Sequence, residues 1–192
     1  MKLLSFLQDV GPDHQGRYLS DIWQFSDQQI EGTHDFIQWV FPLAEPSGAV
    51  PDAPVLEPAE IDLIHKSSPA TMNLEKSAQW FLDFLARSKV WLRSHDHNHL
   101  RITRMIKSQR LLLGELAAES TKERVLQMAK KAKVPINDTG TASSGINVAR
   151  QFCKKTKTTT ATSSSPSRSS GMPKAARSAI PGISPITRST SA

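Results

Sequence analysis

Five prolines fall between residues 42 and 58 (Pro42, Pro46, Pro51, Pro54 and Pro58), with Gly48 among them. Each proline removes a backbone donor and locks φ, so a run of this density excludes both regular helix and central strand. The chain must therefore consist of two structured blocks joined by a long irregular connection, a kind of segment that is often functional. Its one apolar patch, Ala53-Pro54-Val55-Leu56, predicts that Leu56 pins the connection to a core.

Both blocks show apolar residues recurring three and four apart, and neither alternates with period two. Residues 1–16 read as a short apolar segment and a turn, followed by a short helix over 17–25. Ser26 and Gln29 form a capping box that opens a helix over about 27–40. Its stripe of Ile30, Thr33/His34, Ile37 and Val40/Phe41 puts His34 on the core-facing side. Beyond the connection, Pro58 suits the first turn of a helix over 59–66. A longer helix over 71–88 carries Leu74, Ala78, Phe81/Leu82 and Leu85 inward. Asn98 is placed to cap a helix running to about residue 118, with Ile102, Met105/Ile106, Leu112/Leu113 and Leu116 buried. Ser120 and Glu123 suggest a second capping box and a last helix ending before Pro135. The expected fold is all-α: one array of about five to seven helices over residues 1–137, with the proline-rich loop between its halves.

From residue 138 to 192 the composition turns to Ser, Thr, Pro and basic residues, which cannot bury enough apolar area to offset ordering entropy. A disordered tail is expected. From Thr139 onward the chain holds eight basic residues and no acidic one, so removing them from the formal +6 leaves residues 1–138 at −2. The basic balance belongs to the tail, and nucleic-acid binding is expected, if at all, only there. Cys153 is the only cysteine, which excludes an intramolecular disulfide and a four-cysteine zinc site. The N-terminal apolar run is too short for a signal peptide. No stretch approaches the roughly 20 apolar residues of a membrane span, so a cytoplasmic, soluble protein is expected.

Two dense stretches carry the candidate chemistry. His34, Asp35, Gln38 and Trp39 stand in the first; His95, Asp96, His97, Asn98, His99, Arg101 and Arg104 stand in the second. Imidazole and carboxylate are ligand types suited to zinc, iron or manganese, so His34, Asp35 and His97, with His99, His65 or Asp83 in support, are the candidate metal set for a hydrolase. The ordinary alternative is that His34 and His97 are buried polar residues with hydrogen-bond partners. Arg101, Arg104, Lys107 and Arg110 follow one arc of their helix, able to hold an anionic group or simply to be solvated. Of the four tryptophans most should be core, with Trp39, beside the loop, the one placed to serve a site. There is no Gly-rich phosphate loop, and Cys153 has no structured base beside it for nucleophilic catalysis. No cofactor and no catalytic residue are assigned.

Four segments taken together resemble the conserved region of the opioid growth factor receptor family: Gly16-Arg17-Tyr18-Leu19-Ser20-Asp21-Ile22-Trp23; His34 through Leu43; Asp52 through Leu56; and His97 through Arg104. They occur in order, within about residues 3–133. The resemblance implies an all-α domain and, from vertebrate members, a signalling receptor for the enkephalin pentapeptide that is associated with membranes and the nucleus. The resulting expectation is a helical binding domain for a peptide or small anionic ligand, held by His34, Asp35, Gln38, Trp39, His97, Asn98, Arg101 and Arg104. A metal-dependent hydrolase is the alternative, and nucleic-acid binding through the tail the third.

Overall fold

The computed structural model describes residues 2–93 and 95–133, and all further statements concern these; the tail expected from residue 138 lies outside them. Among them are eight α-helices, one 3₁₀ turn and no strand. In chain order they are α1 (Lys2–Leu7), α2 (Leu19–Trp23), α3 (Asp27–Gly32), α4 (Ile37–Val40), α5 (Pro58–His65), α6 (Ser68–Ser88), the 3₁₀ turn Val90–Leu92, α7 (Asn98–Leu112) and α8 (Glu115–Lys131). The fold is all-α, as the spacing predicts.

Helix α6 is the axis of the array. Ser67 caps it, its Oγ accepting the Ala70 N–H at 3.3 Å, and Pro69 occupies its first turn. The predicted stripe of Leu74, Ala78, Phe81, Leu82 and Leu85 is buried, and α1, α5, α7 and α8 all pack on this helix. Lys89, in the left-handed conformation at φ 53°, ends it. Aromatic rings then tie the layers together: Phe81 meets Phe41 at 6.2 Å and Phe84 at 5.6 Å, and Phe36 meets Trp80 at 6.0 Å. Trp91 is fully buried, its indole N–H donating to the Leu85 carbonyl at 2.8 Å. Leu56 pins the proline-rich connection as expected: it is buried, and its N–H donates to the Leu43 carbonyl at 2.9 Å.

Three boundaries differ from those predicted. The Ser26–Gln29 capping box opens α3, but the helix stops at Gly32 and resumes only at Ile37. Thr33 is extended (φ −98°, ψ 126°). The carbonyls of Ile30 and Thr33, which a continuing helix would pair with its own N–H groups, are taken by the Arg101 guanidinium at 2.8 and 2.7 Å. A tertiary contact overrides a local pattern already weakened by Gly32. The second difference is the end of α7. Gly114, at φ 96°, reverses the chain there, a conformation nearly free only for glycine. Ser120 consequently lies inside α8 instead of capping it, and Leu116 is 89% exposed instead of buried. The third is α6, which begins three residues earlier than its apolar stripe indicates, because Ser67 and Pro69 supply the start signal.

Candidate functional site

Helix α4 and the segment after it form one wall of a cleft of about 560 Å³; α7 forms the other. Ile37 and Gln38 come from α4, and Glu45, Ser47 and Ala49 from the start of the proline-rich connection. Leu100, Arg101, Thr103, Arg104 and Lys107 come from α7, and His34 and His97 line the cleft beside them. The rigid wall is α7, whose inward residues Ile102, Met105 and Ile106 are fully buried in the core.

The break between α3 and α4 brings His34 to this cleft, and Arg101 maintains the break. Only 5% exposed, Arg101 donates from Nη1 to the Ile30 carbonyl (2.8 Å) and Asn98 Oδ1 (3.2 Å). From Nη2 it donates to the Thr33 carbonyl (2.7 Å) and His34 Nδ1 (3.1 Å). His34 Nδ1 is therefore an acceptor and the ring proton sits on Nε2. Burial pushes the Arg101 guanidinium below the ordinary arginine value, against the opposing pull of Glu31 and Asp96. With four acceptors in place, Arg101 braces the fold.

Arg104 is different. Its Nε donates to the Phe41 carbonyl at 2.8 Å, while Nη2 is buried with no partner. Desolvation lowers its pKa, and Glu45 pulls the other way. Gln38 presents the complementary deficiency. It is 3% exposed, its Nε2 reaches Ser47 Oγ at 3.4 Å, and its Oε1 accepts nothing. Such orphaned buried atoms cost about 1–3 kcal/mol each, and here one donor and one acceptor are unmatched on two residues that line the cleft. Lys107 bridges to Glu45 at 2.7 Å, joining α7 to the loop wall, and holds the Glu45 carboxyl below the usual range.

The predicted ligand set is divided. His34, Gln38, His97, Arg101 and Arg104 line the cleft. Asn98 lies beneath it, fully buried, donating from Nδ2 to Glu31 Oε2 at 3.1 Å. It is the first residue of α7 and not its cap; Asp96 Oδ1 accepts the Asn98 N–H at 2.8 Å. Asp35 and Trp39 belong elsewhere. Asp35 pairs with Arg17 at 3.0 Å and His14 at 3.3 Å. Trp39 stacks on His14 at 5.9 Å and lines a second cleft of about 950 Å³ with Lys2, Asp13, Asp52 and Glu57. A turn cut short at Gly32 rotates these side chains away from the face that an unbroken helix would give them.

The His34–Asp35–His97 metal centre consequently does not assemble. The supporting candidates are also engaged: His99 Nε2 lies 2.6 Å from the Trp91 carbonyl, His65 Nε2 lies 2.9 Å from the Leu111 carbonyl, and Asp83 accepts from Gln79 at 2.6 Å. Sequence reasoning missed Glu31, one turn before His34, and the loop wall of Glu45 and Ser47. The three-residue spacing of Glu31 and His34 is the signal that could have found the first.

Residues 11–90 match the model of the Opioid growth factor receptor (OGFr) conserved region. That stretch holds α2 through α6 and the loop wall, whereas α7 lies beyond it. The chain is 32% identical over 127 residues to mouse opioid growth factor receptor-like protein 1, covering 56% of this chain and 26% of that one. It is 32% identical over 125 residues to the rat opioid growth factor receptor (54% and 21%) and 30% identical over 125 residues to the human one (54% and 18%). The chain thus spans about a quarter or less of the length of these curated relatives. No solved structure matches it. Residues 11–90 are thus similar to the opioid growth factor receptor conserved region.

Proposed function

We propose that this chain is a peptide-binding helical domain whose site is the cleft between α4, the loop wall and α7. The observation that carries this reading is that Gln38 and Arg104, whose buried Oε1 and Nη2 have no partner, both line one cleft. An extended peptide supplies both complements, an N–H for the glutamine oxygen and a carbonyl or terminal carboxylate for the guanidinium. The cleft volume falls within the roughly 300–1,000 Å³ of small-ligand sites. Leu43, Ile37 and Leu100 give it apolar surface for side chains. The printed names of the relatives, receptors for an opioid growth factor, agree with a peptide ligand, and the enkephalin pentapeptide is the first probe.

Titration of the full chain with that peptide, as free acid and as C-terminal amide, tests the reading. A hydrogen bond to a charged group contributes about 1.5–3 kcal/mol. The free acid should therefore bind about tenfold tighter or more, with the preference lost in Arg104→Gln. Equal binding of acid and amide, or a preference that survives Arg104→Gln, rejects Arg104 as the anchor; binding of neither form rejects enkephalin as the ligand.

A further inference from the structure

The motif His95-Asp96-His97-Asn98-His99 is only partly used by the peptide cleft. Asp96 and Glu31 converge on His97. One oxygen of each carboxylate and a ring nitrogen of His97 all lie within 4.8 Å of one another. We propose that Glu31, Asp96 and His97 form a three-ligand divalent metal site, best matched to zinc.

The spacing of the donors carries the assignment. His97 Nε2 and Glu31 Oε1 stand 3.6 Å apart, too far for a hydrogen bond, and that nitrogen is buried with no hydrogen-bond partner. Two donors about 2.0–2.1 Å from a tetrahedral zinc ion stand about 3.4 Å apart. The pair is held at a distance that suits an ion between them better than a proton. The remaining separations close by rotation of carboxylates that are only partly buried.

The surroundings prepare these oxygens. Fully buried Asn98 donates its backbone N–H to Asp96 Oδ1 at 2.8 Å and its Nδ2 to Glu31 Oε2 at 3.1 Å. Each carboxylate is thus oriented through one oxygen and left with the other, the outer-shell arrangement that metal ligands require. Asn98 is itself fixed by Arg101 Nη1 at 3.2 Å. Among the described residues no lysine or arginine comes within ion-pair distance of Glu31 or Asp96. Arg101 directs its four Nη hydrogens to other acceptors. Two carboxylates beside one guanidinium leave the cluster net negative.

His34 is not a ligand. Its ring stands edge-on to His97 at 5.2 Å and its Nδ1 is engaged by Arg101. Three protein donors leave a coordination position open, and one of the three, His97, also lines the peptide cleft. The site stands independently of the peptide reading.

The test is titration of tag-free, chelator-treated full chain with ZnCl₂ by calorimetry and with CoCl₂ by visible absorption. One equivalent of each ion is expected, with ligand-field bands of four- or five-coordinate Co²⁺. Glu31→Gln and His97→Ala should each weaken binding by more than the about 10–100-fold that loss of an outer-shell partner costs. The near-isosteric Glu31→Gln keeps the test valid if His97→Ala does not fold, as judged by circular dichroism. Asp35→Asn, whose carboxylate faces Arg17, should bind as the wild type does. Absence of uptake overturns the proposal, as does uptake of unchanged affinity in Glu31→Gln, which would place the ion on other residues.

Discussion

Replacing Arg101 by methionine distinguishes a brace from a binding residue. The substitution keeps the length of the aliphatic stem and removes every donor. Two acceptors are then stranded in buried surroundings, the Ile30 carbonyl and Asn98 Oδ1, while the Thr33 carbonyl and His34 Nδ1 are only partly buried and regain water. Each stranded buried acceptor costs about 1–3 kcal/mol, and release of the guanidinium from a desolvated position returns part of this. A net loss of about 3–4 kcal/mol is expected, close to the about 3–5 kcal/mol measured when one partner of a buried pair is removed. Urea unfolding of the full chain, followed in parallel by far-ultraviolet circular dichroism and tryptophan fluorescence, gives the number. The melting temperature should drop by about 10 °C or more. If Arg101→Met lost under about 1 kcal/mol while peptide affinity collapsed, the guanidinium would belong to the ligand and the account of the α3–α4 break would be wrong.

Two of the glycines with open space around them, Gly114 and Gly32, should behave oppositely. Gly114→Ala forces alanine to φ 96° and should destabilise by about 1–2 kcal/mol. Gly32→Ala, in the last turn of α3 with nothing within 4 Å of the new Cβ, should stabilise by up to about 1 kcal/mol. Glu45→Gln removes the Lys107 strap, and amide exchange over residues 47–50 should speed up by about 1.5- to 5-fold, the range of an exposed ion pair. Acid should mimic this. The folded-state pKa of Glu45 is depressed, so the strap is complete above the ordinary glutamate value of 4.5 and is lost as pH falls through the lower folded value. Asp35→Asn should leave peptide affinity at the cleft unchanged, because Asp35 contacts Arg17 and His14 instead.

What could be read from the residues was whatever local chemistry decides. The Ser26–Gln29 box, the α6 stripe, the all-α class and the anchoring of Leu56 each depend on neighbours in the chain or on simple burial, and each is present. The α3–α4 break was not legible, because its cause lies 68 to 71 residues away in Arg101. That single long-range contact also explains the division of the candidate site. With the helix interrupted, His34 and Gln38 face one cleft while Asp35 and Trp39 face another. The stop at Gly114 is written in the sequence as a helix-breaking residue, but the predicted boundary rests on a capping pattern at Ser120 that chance supplies readily in a polar helix. Glu31 was not assigned to the site because a glutamate on a short amphipathic helix ordinarily marks a solvated face or pairs with a nearby arginine.

The Arg101 brace bears on where this domain can be cut. The matched region ends at residue 90, yet the carbonyls left open by the α3–α4 corner are closed from residue 101. At the other end, Leu3, Phe6 and Leu7 of α1 precede residue 11 and are buried in the same core, and the Leu7 carbonyl accepts from Asn73 at 2.9 Å. A polypeptide of residues 11–90 would carry the family signature and lack both flanks that complete it, with the faces that α1 and α7 cover turned to water. Recognisable ancestry and cooperative folding therefore have different borders in this chain. Because the closing contacts join residues far apart in sequence, their loop-closure cost is met only once α7 is in place. The corner that lines the cleft between α4 and α7 should be among the last parts of the domain to become native.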